Sequence, residues 1–134
     1  MFLVFSFSHF SSTVSALFSP QVHVTLTSDR TRIMTALSKL QLSGQTDVLS
    51  GLQVALLALK HRQNKNQRQR VVVFVGSPIE TETAPLVQLG KKLKKNNISV
   101  DIISFGEEAM NKEKLEAFIA AVNSGDSRYI LWFL

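Results

Sequence analysis

The sequence predicts an α/β domain with a mostly parallel sheet, and three observations carry the prediction. Arg70–Pro78 reads RVVVFVGSP, in which Val71–Val75 is an unbroken β-branched and aromatic run closed by Gly76, Ser77 and Pro78. Such a run reads as a strand buried on both faces, because the central strands of a parallel sheet have helices above and below them. A second apolar run, ISVDIISF, follows at Ile98–Phe105. Helical patterns lie between the two runs and after the second, so the order is strand, helix, strand, helix, which connects strands running the same way.

With 134 residues, 45% of them hydrophobic, there is chain for one domain with a substantial core and not for two. There is no cysteine, which excludes a disulfide scaffold, a thiol nucleophile and a thiolate-bound metal. The net charge of +5 is unevenly spread. Lys60, Arg62, Lys65, Arg68 and Arg70 form one basic stretch, and Lys91, Lys92, Lys94 and Lys95 form another.

Residues 1–20 stand apart as an apolar N-terminal segment, and no Asp, Glu, Lys or Arg occurs before Asp29. Val14, Ser15 and Ala16 make a small-residue cleavage pattern of the signal-peptide kind, but the basic n-region is missing. The stretch is too short and too serine-rich for a membrane span of roughly 20 apolar residues. The other reading is structural: Phe2–Ser8 pairs with Val22–Thr27 across the Ser/Thr-rich connection as an antiparallel ribbon at the sheet edge.

From Ser28 onward the elements are regular. Ser28 or Asp29 caps a helix with Ile33, Leu37 and Leu40 on one face, ended by Ser43 and Gly44. Thr46 or Asp47 caps a longer one, whose Val48, Leu49, Leu52, Ala55, Leu56 and Leu59 recur at helical spacing while Gln53 and Lys60 face water. His61–Arg70 is the polar connection into the central strand. The next helix starts near Thr83 with Pro85 in its first turn, buries Leu86, Leu89 and Leu93, and carries lysines in its last turn, where they offset the helix dipole. Asn96 and Asn97 stop it. The last helix is expected from Asn111 as its cap, with Leu115, Phe118, Ile119 and Val122 inward, and RYILWFL then reads as a final edge strand.

The residues offer little chemistry of their own. Gly76, Ser77 and Pro78 lie at the carboxyl end of a strand, where open α/β sheets bind ligands, yet there is no G-x-G-x-x-G, no G-x-x-x-x-G-K-[ST] and no G-x-S-x-G. His9, His23 and His61 lack metal-ligand spacing. Glu80 and Glu82, and Glu107 and Glu108, are loop carboxylates without an apolar setting to separate their pKa values. The stretch from Lys60 to Arg70 has no interleaved aromatics for stacking on bases, so it reads as a polar connector or a protein-binding surface rather than a nucleic-acid site.

Three strings in order, ALKHRQNKNQRQRVVVFVGSP (Ala58–Pro78), KKLKKNNISVDIISFGE (Lys91–Glu107) and LEAFIAAVN (Leu115–Asn123), closely resemble the von Willebrand factor A domain of the proteasome's non-ATPase ubiquitin-receptor subunits. The resemblance runs from Val22 to Ser127. It implies a Rossmann-like three-layer α/β sandwich, here a partial domain over residues 21–134 that lacks the family's first strand and helix. It also implies a non-enzymatic interaction module, cytoplasmic and nuclear, that docks on regulatory-particle subunits and links lid and base in ubiquitin-dependent degradation. No stretch up to Leu134 has the acidic, Leu-Ala-rich character of the family's ubiquitin-interacting helices, so ubiquitin binding through this chain is not expected. A secreted or surface adhesion A domain is the alternative.

Many A domains hold a divalent metal at the top of the sheet. By resemblance Thr46, in GQTDVLSGL, falls at the metal-binding threonine, while Gly76 and Ser77 replace the aspartate expected after the central strand and the first-strand motif is missing. A hard cation needs several oxygen ligands, so no metal and no cofactor are expected. The docking surface is expected at Lys60, His61, Arg62, Asn64 and Lys65, a polar stretch strongly matched to the family. Losing the first strand bares an apolar edge on the strand at Val71–Val75, and Phe2–Ser8 is the segment available to fill it.

Overall fold

A computed structural model of the chain describes residues 2–6, 11–17, 19–39, 47–61, 66, 68–105, 107–123 and 128–131. Six strands, β1 (Phe2–Ser6), β2 (Ser11–Leu17), β3 (Ser19–Thr27), β4 (Gln69–Val75), β5 (Ile98–Ser104) and β6 (Arg128–Leu131), form a single sheet in the order β3-β2-β1-β4-β5-β6. The described residues also form four helices, α1 (Arg30–Ser38), α2 (Val48–Lys60), α3 (Thr83–Lys95) and α4 (Glu108–Val122). β4, β5 and β6 are parallel neighbours joined through α3 and α4, whereas β1, β2 and β3 form an antiparallel meander. Because β1 also runs antiparallel to β4, β2 has the same direction as β4–β6, and four of the six strands point one way.

The N-terminal ribbon differs from the expected one. Phe2–Ser6 does not pair with Val22–Thr27; the Ser/Thr-rich connection is itself the strand β2 and lies between them. β1 is interior, with Phe2 opposite Val75 and Ser6 opposite Val71. It thus occupies the place beside β4 that the missing first strand leaves open. The reason is hydrogen bonding: an unpartnered β4 edge would leave a row of backbone groups without acceptors or donors, and a short extended segment satisfies them. β3 runs across the division expected at residue 20, so residues on both sides of that division share the sheet.

β4 is not buried on both faces. Val71, Val73 and Val75 are at most 1% exposed, while Val72 and Phe74 are only half-buried. β5 alternates in the same way, with Ile98, Val100 and Ile102 inward. The inward rows meet Leu52, Ala55 and Leu59 of α2, Leu86, Leu89 and Leu93 of α3, and Leu115, Phe118 and Val122 of α4 in one core. Since all three helices share that core, they cover the same face, and the alternation is the period of a strand with one covered side. Each fully buried Leu, Ile or Phe contributes about 1.5–3 kcal/mol.

Local signals set the helix ends. The Asp29 carboxylate accepts from the amides of Thr31 (2.9 Å) and Arg32 (3.4 Å), and that of Asp47 accepts from Ser50 (3.0 Å), so aspartate is the cap in both places. α1 ends a turn earlier than Ser43 and Gly44 suggest, because the Lys39 amide bonds to Ala36 and tightens the last turn. Leu40, Ser43, Gly44 and Thr46 lie outside the described residues. α3 starts at Thr83 and stops at the two asparagines as expected. Asn96 Nδ2 donates to the Lys92 carbonyl at 2.7 Å, and Asn97 takes the left-handed conformation, φ 54°. α3 and α4 pack closely at Gly90, where an added Cβ would meet the Ala121 Cβ at 3.0 Å and the Phe118 carbonyl at 3.1 Å.

Candidate functional site

At the carboxyl end of β4 the chain turns through Gly76, Ser77 and Pro78 into buried Ile79. Asn111, expected as the cap of α4, lies instead a turn inside the helix, which begins after Glu107, a residue that makes no side-chain capping bond. The Asn111 side chain is fully buried and serves the neighbouring loop. The Ile79 amide donates to Asn111 Oδ1 at 2.8 Å, and Asn111 Nδ2 donates to the Ser77 carbonyl at 2.9 Å. A primary amide supplies both the acceptor and the donor from one side chain. Lys114, one turn further on, donates from Nζ to the Ile79 carbonyl at 2.6 Å. Both polar groups of the Ile79 backbone are therefore held by α4, which fixes the β4–α3 loop over the sheet.

Gly76 is fixed by its surroundings. The Phe105 amide donates to the Val75 carbonyl at 2.9 Å, which lays Phe105 beside the turn. A Cβ at residue 76 would lie 2.4 Å from the Phe105 ring. The residue after β4 thus has no side chain, and Ser77 adds one neutral hydroxyl. Among the described residues no three His, Cys, Asp or Glu side chains gather as a metal-holding group. This donor set does not fit a hard divalent cation, which requires several anionic or carbonyl oxygens. Thr46 lies outside the described residues.

The opposite end of the sheet carries the basic residues. Lys60, the last residue of α2, and His61, its C-cap, are exposed; Arg62, Asn64 and Lys65 lie outside the described residues. The two basic stretches, separate in the sequence, meet here. Lys60 and Lys92 line one groove of about 350 Å³ between α2 and α3, together with Leu56, Leu57 and Ile98. Nothing in the sequence pattern joins residues 60 and 92; only the packing of two helix ends against the start of β5 does. The ion pair of Arg70 and Asp101 (2.6 Å) is formed across β4 and β5 by side chains that alternate away from the buried rows. Among the described residues no helix is long and apolar enough to cross a membrane.

Comparison with known proteins places this arrangement. The von Willebrand factor type A domain profile matches residues 10–78. The chain is 46% identical over 112 residues to the 26S proteasome non-ATPase regulatory subunit 4 of Dictyostelium discoideum, covering 84% of this chain and 32% of that protein. It is 48% identical over 113 residues to the 26S proteasome regulatory subunit rpn10 of Schizosaccharomyces pombe, covering 84% and 46%. The chain thus spans less than half the length of these relatives. The crystal structure of the SpRpn10 VWA domain superimposes with a TM-score of 0.75 at 46% identity, over 87% of this chain and 59% of that one. A conserved hypothetical protein BatB from Bacteroides thetaiotaomicron gives a TM-score of 0.70 at 11% identity over 90% of this chain and 69% of that one, a likeness of fold alone. The Dictyostelium relative is named a non-ATPase regulatory subunit and the Schizosaccharomyces relative a regulatory subunit. The chain belongs to the von Willebrand factor type A domain family and, within it, resembles the A domain of the proteasome regulatory subunit Rpn10.

Proposed function

We infer that this chain is a non-catalytic protein–protein interaction module of the proteasome regulatory particle, acting in the cytoplasm and nucleus, where its docking helps link lid and base. The observation that supports the reading is identity of 46–49% to proteasome regulatory subunits across about four fifths of the chain. A fold-level likeness alone leaves the surface free to diverge. Its docking surface is the polar stretch of Lys60, His61, Arg62, Asn64 and Lys65, of which Lys60 and His61 are exposed. No metal takes part, and ubiquitin recognition is assigned to no residue of the described domain.

An affinity pull-down of the tagged chain from cell extract, read by mass spectrometry, tests the reading. Recovery of lid and base subunits together supports it. Recovery of chaperones without any regulatory-particle subunit overturns it.

A further inference from the structure

We propose that the groove between α2 and α3 is a docking site for an acidic, leucine-bearing segment of a neighbouring protein, its carboxylates taken by Lys60 and Lys92 and its apolar side chain by Leu57. Three observations carry the proposal. Leu57 is 55% exposed beside half-buried Leu56, and the groove reaches down to buried Ile98, so its base is apolar. Lys60 and Lys92 flank that base, no acidic side chain among the described residues lines the groove, and the ion pair found among them is elsewhere, at Arg70 and Asp101. Gln53 and Gln69 add neutral amides able to bond a peptide backbone.

The charge balance favours an anion despite the two helix C-termini nearby. Each helix end contributes about half a negative charge, whereas Lys60, Lys92, Lys94 and Lys95 bring four full positive charges in the last turns of α2 and α3. At about 350 Å³ the groove sits at the lower end of ligand-holding pockets, roughly 300–1,000 Å³. With no aromatic side chain among its lining residues it offers nothing for bases to stack on. An apolar base with a cationic rim fits a peptide that carries both leucine and carboxylates, and a bare polyanion uses only the rim.

The proposal rests on the proteasomal reading for which protein supplies the segment, and not for the chemistry of the groove. The test is fluorescence anisotropy of a short labelled peptide with glutamates and leucines at helical spacing, titrated with the full chain and with the variants K60E/K92E and L57S. All three positions are exposed, so only small falls in melting temperature are expected, that of K60E/K92E from the reversed charge in the last turns of α2 and α3. The expected result is saturable binding that weakens with salt and falls about tenfold in each variant. Absent binding, equal binding by both variants, or displacement by inorganic phosphate at the affinity of the peptide overturns it. The pull-down repeated with K60E/K92E separates the two readings. If the peptide does not bind and wild type and variant recover regulatory-particle subunits equally, the groove fails while the module stands. If no such subunit is recovered while the peptide binds wild type and not the variant, the groove stands and the proteasomal reading falls.

Discussion

The fully buried side-chain amide of Asn111 in α4 holds the backbone N–H of Ile79 at 2.8 Å, 32 residues earlier in the chain. The same amide donates to Ser77, so one side chain closes the loop at the top of β4. The loop is thereby set by α4.

Replacing Asn111 by alanine removes the partner of the buried Ile79 N–H and one bond to the Ser77 carbonyl, and opens a small cavity. The expected loss is about 2–4 kcal/mol, read as a lower denaturation midpoint with an unchanged m-value. Lys114→Ala removes a bond at a half-buried site where water can replace it, and is expected to cost about 0.5–1 kcal/mol.

Gly76→Ala places a methyl group 2.4 Å from the Phe105 ring. The ring must turn aside, at a cost of about 1–3 kcal/mol. Phe105→Ala removes the obstacle, so in a double-mutant cycle Gly76→Ala is expected to cost markedly less in the Phe105→Ala background. Additive effects would mean that the backbone of the turn, and not the ring, requires glycine.

Gly90→Ala separates propensity from packing. Alanine favours a helix interior by about 1 kcal/mol over glycine, yet here its Cβ would press on Ala121 and on the Phe118 carbonyl. Net destabilisation in thermal unfolding is expected, because a backbone carbonyl of α4 cannot give way as a side chain can. A rise in Tm would show that α3 and α4 shift apart freely.

Asn97, at φ 54°, ends α3 in the left-handed region. Asn97→Gly is expected to leave stability unchanged or slightly raised, whereas Asn97→Val is expected to cost about 1–2 kcal/mol, since a β-branched side chain is strained there. Urea denaturation of the two variants side by side reads the difference.

Legibility in the sequence depends on the range of each interaction. Asp29, Asp47 and the two asparagines after Lys95 act on backbone groups within four residues, so the sequence shows them directly. The periodic Leu and Val positions of α2, α3 and α4 are local too, and they are buried where expected except Leu49 and Leu56, which are half-buried. Asn111 misleads for the same reason. A lone Asn near a helix start is ordinarily a cap, and its actual partners, Ser77 and Ile79, are remote in sequence. The run Val71–Val75 suggests burial on both faces, but apolar character alone does not say how many faces are covered; that depends on all three helices lying on one side.

By itself the sequence determined the α/β order, the helix boundaries near their caps, the inward residues and the family, because each is written in short-range patterns or in strings matched directly. Tertiary structure decided where Phe2–Ser6 goes, what Asn111 holds and that Lys60 meets Lys92. Those outcomes depend on which segments satisfy β4's hydrogen bonds and on how helix ends pack, and both are settled only when distant parts of the chain meet.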